Sequence, residues 1–131
     1  MSEKLNREEI MKLLPHRDPM LLIDELINIK KLSTATAIVN VKKQSFFVQG
    51  HFPGQPVVPG VILFEMMAQT AAALIAFSIK EQTTNKIVYL MNIEGTKFRK
   101  PVFPNTKIFC NFFQLESFYF PNYNHLLFLG Y

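Results

Sequence analysis

The sequence predicts an α+β fold: one long helix buried against several antiparallel strands, in a single domain spanning residues 1–131. Three observations carry this. The chain has 131 residues, the size of one ordinary domain with one shared core. From residue 61 to about 80 there is no proline or glycine, and Leu63, Met66, Met67, Thr70, Ala71, Leu74, Ile75 and Ser78 recur at helical spacing. The flanking segments are of strand length and rich in Ile, Leu, Val, Phe and Thr, with no alternation of strands and helices that a parallel sheet would require.

The elements follow in order. Asn6 can cap a short amphipathic helix over residues 7–14, with Glu9 at the reciprocal position of a capping box and Pro15 as its stop. "MLLIDELINIKK" and "STATAIVNVKK" read as two antiparallel strands joined through polar residues 30–33. After "SFFVQ", prolines and glycines forbid regular structure as far as Gly60. The long helix comes next. Phe64, Ala68, Ala72, Ala73 and Ile79 make it apolar on its other face too, which suits a helix buried in a sheet or an interface. "NKIVYLMNIEGTKF" reads as a strand with a bulge or close approach at Gly95, and "RKPVFPN" as a turn. "TKIFCNFFQLESFYF" is a long strand that "PNYN" turns back into "HLLFLGY".

Composition narrows the function classes. Hydrophobic residues make up 49% of the chain, thirteen of them phenylalanine, against 18% charged. That is a greasy surface for a small monomer, so oligomerisation or an apolar ligand site is expected. The N-terminus mixes acids and bases without an apolar core, so no secretory or transit segment is expected and the location is cytoplasmic. The uncharged runs are broken by Pro53, Pro56 and Pro59 or are too short to span a membrane. A net charge of +4 without interleaved aromatic and basic residues does not indicate nucleic acid. The lone Cys110, flanked by "KIF" and "NFF", reads as a buried small hydrophobe.

Chemistry concentrates in "GHFPGQPVVPGVILFEMMAQ". His51 sits in a proline-restrained loop that has little entropy left to lose in holding the ring at one angle. Glu65 lies in the second turn of the helix between Phe64 and Met66, where desolvation is expected to raise its pKa and make it a proton donor; a cap or an interface ion pair is the bland alternative. The N–H groups of Gly60 and Val61 should be unpaired at the positive end of the helix, ready to hold a carbonyl oxygen. A base, an acid and backbone donors are the parts needed to abstract a proton α to a carbonyl and expel a β-hydroxyl. No metal is expected: His51 and Glu65 offer at most two ligands, and His16 and His125 have no metal-type spacing to them. In "TKFRK", Lys97, Arg99 and Lys100 form either a solvated strand end or a binding patch.

"LLPHRDPMLLID", "GHFPGQPVVPGVILFEMMAQ" and "KFRKPVFP" together resemble the (3R)-hydroxyacyl-[acyl-carrier-protein] dehydratases of bacterial type II fatty acid synthesis, from about residue 10 to residue 107. The resemblance implies a hotdog fold, an antiparallel β-sheet wrapped around a long central helix, assembled as a homodimer and commonly as a trimer of dimers. It implies dehydration of 3-hydroxyacyl groups on acyl carrier protein, for fatty acid or lipid A supply, with no cofactor. By position, His51 is the base for the C2 proton and Glu65, from the opposite subunit, protonates the departing hydroxyl. Gly60 binds the thioester carbonyl, Tyr89 in "KIVYLM" gates the acyl tunnel, and the basic "KFRK" receives the acidic carrier protein. Asp18 and Met20 stand where the family has an aromatic pair, and the aromatic tail from about residue 108 departs from its pattern. Two other functions are compatible with the same fold: a hotdog acyl thioesterase and a non-catalytic acyl-binding module.

Overall fold

The computed structural model describes residues 3–79, 90–93, 95–113 and 127–129. Helix α1 covers Arg7–Leu13. Asn6 caps it as expected: its Oδ1 accepts from the Glu9 N–H at 3.0 Å, and Glu9 Oε2 accepts from the Asn6 N–H at 2.8 Å. The helix stops one residue early because Leu14 precedes a proline and is extended, with φ −108° and ψ 142°.

Strands β1 (Glu25–Lys30) and β2 (Thr34–Val41) pair antiparallel, with Leu26 opposite Ala37. The first strand is shorter than its sequence pattern predicts. Leu22 does not pair with a strand; its N–H donates to the Gln69 side chain at 2.9 Å. That bond pulls the chain towards the helix before β1 begins.

Strand β4 (Thr106–Phe113) lies on the other edge of β2, antiparallel and in unbroken register from Val41 opposite Thr106 to Thr34 opposite Phe113. The sheet order is therefore β1-β2-β4. Ala35, Ala37, Val39 and Val41 of β2 are all buried. Their alternate positions fall on one face of the strand, the face turned to the core.

Helix α2 (Gly60–Ser78) lies against this sheet. Its buried residues include Ala68, Ala71, Ala72, Ala73 and Ala76, small side chains that let the sheet come close, with Met66 and Leu74 filling the space between. Ser78 Oγ donates to Leu74 O at 2.6 Å and accepts from the Leu32 N–H at 2.9 Å, which ties the end of α2 to the β1–β2 turn. Contrary to the expectation from run lengths, α2 is long and apolar enough to cross a membrane. Two thirds of that stretch is buried within the fold, 67%, so the apolarity is accounted for by core packing.

Two strand expectations are corrected. Among the described residues strand β3 covers Leu90–Ile93, residues 80–89 and 94 lying outside them, and Gly95, at φ 62°, starts an irregular segment that carries the basic cluster. A left-handed residue there ends the pleat. Strand β5 (Leu127–Leu129) pairs parallel with β3 and does not form an antiparallel hairpin with β4. Three consecutive apolar residues have no in–out alternation to select a partner or a direction, so the sequence pattern could not decide this pairing. Residues 114–126, including the expected turn and His125, lie outside the described residues, as do Lys80 and Tyr89.

Candidate active site

The histidine loop is built from closely spaced turns. The His51 N–H donates to Val48 O at 3.3 Å, the Val57 N–H to His51 O at 2.8 Å, and Phe52 and Gln55 exchange backbone bonds at 3.1 and 3.0 Å. Gly50 and Gly54 flank the ring at φ 79° and 76°, a conformation in which a Cβ would be strained although there is open space around both. The His51 ring stacks on Phe52 with centroids 4.2 Å apart. Its Nδ1 is 3.0 Å from Val57 O. A carbonyl only accepts, so Nδ1 carries the hydrogen and Nε2 keeps its lone pair. The loop thus fixes both the angle and the tautomer of a potential base.

At the start of α2, no side chain caps the helix. The first intrahelical donors are Ile62 and Leu63, both to Pro59 O. The N–H groups of Gly60 and Val61 have no partner among the described residues, as expected for the first turn. Gly60 has a second function that the sequence does not reveal. A Cβ there would lie 3.0 Å from the Phe98 ring, so glycine lets that ring sit on the helix start.

Glu65 is oriented by two groups. Gln69, one turn along, donates from Nε2 to Glu65 Oε1 at 2.9 Å, and His16 Nε2 lies 3.5 Å from the same oxygen. The expected upward pKa shift is corrected: the carboxyl is held below its ordinary value of 4.5. His16 lowers it most. Burial pushes it up, as predicted, but by less than His16 lowers it, and the Gln69 amide adds to the lowering. Glu65 is therefore a carboxylate at neutral pH in the isolated chain. Among the described residues, no hydrogen bond or ion pair joins it to His51.

Sequence reasoning gave neither His16 nor Gln69 a role beside Glu65, although Gln69 closes the quoted motif and His16 was weighed as a metal ligand. A glutamine four residues after a helical glutamate is the signal that could have found Gln69. His16 was visible only as part of "LLPHRDPMLLID". Asp18 pairs with Arg7, which also reaches Asp24 at 3.2 Å and Leu21 O at 2.9 Å, so this departure from the family pattern serves the fold.

An open groove of about 710 Å³ runs between α2 and β4, lined by Leu63, Phe64, Met67, Ile108, Cys110 and Phe112 among others. Lys97, Arg99 and Lys100 also line it, on the irregular segment after Gly95. Cys110 is buried as expected, and burial pushes its thiol up to about 11.

Comparison with known proteins gives one consistent result. The FabA-like domain profile matches residues 14–117, beyond the reach of the recognisable motifs. The "3-hydroxyacyl-[acyl-carrier-protein] dehydratase FabZ" of Acidiphilium cryptum is 47% identical over 95 residues, 72% of this chain and 58% of the relative. That of Paramagnetospirillum magneticum is 38% identical over 117 residues, 89% of this chain and 73% of the relative. That of Rhizobium etli is 50% identical over 100 residues, 76% of this chain and 63% of the relative. The chain thus spans between 58% and 73% of the length of these three curated relatives.

Proposed function

The chain belongs to the FabA-like domain family, among its FabZ dehydratases, and on that premise we propose that it converts (3R)-3-hydroxyacyl groups on acyl carrier protein to trans-2-enoyl groups with loss of water. The observation that carries this reading is the His51 ring, held with Nδ1 on Val57 O so that Nε2 is free to take a proton. In the reaction, Nε2 removes a C2 proton while the thioester oxygen accepts from the Gly60 and Val61 amides, which stabilise the developing charge. The C3–O bond then breaks, and a proton from Glu65 lets the hydroxyl leave as water.

Glu65 must be protonated for that last step, and in the isolated chain it is not. The reading therefore includes a second subunit. Two copies join their sheets in a hotdog dimer, the sheet wraps α2, and His51 of one copy faces Glu65 of the other. Added burial by the partner acts upward on the carboxyl, the direction in which burial already pushes it. The groove beside α2 holds the acyl chain. Lys97, Arg99 and Lys100 at that groove meet the acidic carrier protein.

The test is turnover of 3-hydroxyacyl carrier protein by the purified chain, followed as enoyl thioester. His51→Ala and Glu65→Gln are each expected to lower kcat by about 10²-fold or more, with folding unchanged. Release of free thiol in place of enoyl product would make the chain a thioesterase and overturn the reading.

A further inference from the structure

We propose that His16 is the positioning residue of Glu65, gripping the carboxylate at Oε1 together with Gln69 so that Oε2 is the oxygen presented to the substrate. This rests on the role given to Glu65 above.

Four observations converge on it. His16 Nε2 and Gln69 Nε2 approach the same oxygen, at 3.5 and 2.9 Å, and no described residue bonds Oε2. The Gln69 amide cannot be turned round: its Oε1 accepts from the Leu22 N–H at 2.9 Å, so its nitrogen must face Glu65 and Met20 O. The backbone around His16 is held by Arg17, whose Nη1 donates to His16 O at 2.7 Å and Leu14 O at 2.9 Å, and whose Nη2 donates to Met11 O at 3.1 Å. Finally, His16 Nδ1 is the one buried side-chain nitrogen or oxygen among the described residues without a hydrogen-bond partner. Folded proteins leave few such atoms, because each carries a desolvation cost. No described protein group holds Nδ1, so the contact of Nε2 with the carboxylate is the polar contact that orients the ring.

The chemical consequence follows from the carboxylate's own freedom. Its terminal torsion is broad and nearly two-fold, so an unrestrained carboxylate exchanges its oxygens and wanders in angle. One hydrogen bond at 2.9 Å and a second nitrogen 3.5 Å from the same oxygen restrict that freedom. Because a carboxylate accepts only, the His16 Nε2 must carry a hydrogen to serve in this way. The 3.5 Å separation is longer than an ordinary hydrogen bond and is of the kind that shortens when a substrate closes the site.

The experiment compares His16→Leu, which removes the donor, with His16→Gln, which offers an amide hydrogen at similar reach. Two quantities are read: kcat and KM for 3-hydroxyacyl carrier protein, and the titration midpoint of the Glu65 carboxyl-carbon NMR resonance. The only described groups acting on that carboxyl are His16 from the α1–β1 connection and Gln69 from α2 itself; Arg17 is bound to carbonyls and Asp18 to Arg7.

We expect His16→Leu to move the Glu65 midpoint upward, towards the acid form, and still to lower kcat on the order of 10²-fold with little change in KM, because the lost orientation outweighs the gain in acid form. His16→Gln recovers most of both. Wild-type turnover in His16→Leu, or equal Glu65 midpoints in the two variants, overturns the proposal. If His16→Leu does not fold, the unmodified protein decides: the His16 ring-nitrogen resonance must respond at the Glu65 midpoint, and independence of the two overturns the proposal. Absence of dehydration by the unmodified protein sinks the proposed function instead, since the titration reads the contact without any turnover.

Discussion

Gln69 shows how much one side chain can hold. It is only 1% exposed, and its three bonds reach the backbone at Met20 and Leu22 and the carboxylate of Glu65. Gln69→Leu keeps the volume but leaves a backbone N–H and a carbonyl without partners, at a cost of roughly 2–4 kcal/mol, measurable by denaturant unfolding. Glu65 makes a different prediction. In the isolated chain its pKa lies below 4.5, so the ionised form is favoured by the fold of the single subunit. That contribution is complete above the ordinary value and is lost as pH falls through the lowered one. Below pH 4.5 the wild type should therefore lose Tm more steeply than Glu65→Gln, as a series of thermal melts would read. At this scale the restraint on the His51 ring was legible, because prolines and glycines act on the backbone beside it. His16 was not legible: its contact with Glu65 joins residues far apart in sequence, and no local pattern encodes that meeting.

The elements owe their form to unequal signals. Helix α1 carries its boundary in Asn6, Glu9 and Pro15, each acting on the backbone beside it, and was readable almost to the residue. Helix α2 carries a long apolar pattern, and its existence followed from that pattern alone. Leu74 is fully buried in it, and Leu74→Ala should destabilise by about 2–5 kcal/mol in an unfolding titration, since the helix cannot collapse into the space. Strand β4 was legible as far as residue 113, beyond which the expected strand lies outside the described residues: Ile108, Cys110 and Phe112 alternate with Lys107 and Asn111. With its thiol pushed up to about 11, Cys110 should resist alkylation in the native state at neutral pH and react once the chain is denatured, as mass spectrometry would record. Strand β5 was placed on the wrong neighbour because Leu127, Phe128 and Leu129 are all apolar, and such a run fits any hydrophobic edge.

For the whole molecule, the open question is what completes the site. Met67, Phe98, Phe103, Phe109 and Phe113 are large apolar side chains on the surface of the isolated chain, and all but Phe103 line the groove beside α2. A two-subunit site makes a quantitative prediction. Mixing unfolded His51→Ala and Glu65→Gln chains and refolding them should restore roughly a quarter of wild-type activity, because half the dimers are mixed and each regains one of two sites. A site made within one chain would regain nothing. The sequence by itself determined the α+β class and the position of the long helix, and it singled out His51 and Glu65 as candidates, because periodicity, prolines and glycines act on the backbone locally. Only the tertiary structure decided which nitrogen of His51 faces Val57 O, the downward shift of Glu65 in the isolated chain, its contacts with His16 and Gln69, and the parallel neighbour of β5. Those depend on which distant groups burial brings together, and the free energy of a buried carboxylate is set by its partners more than by its place in the chain.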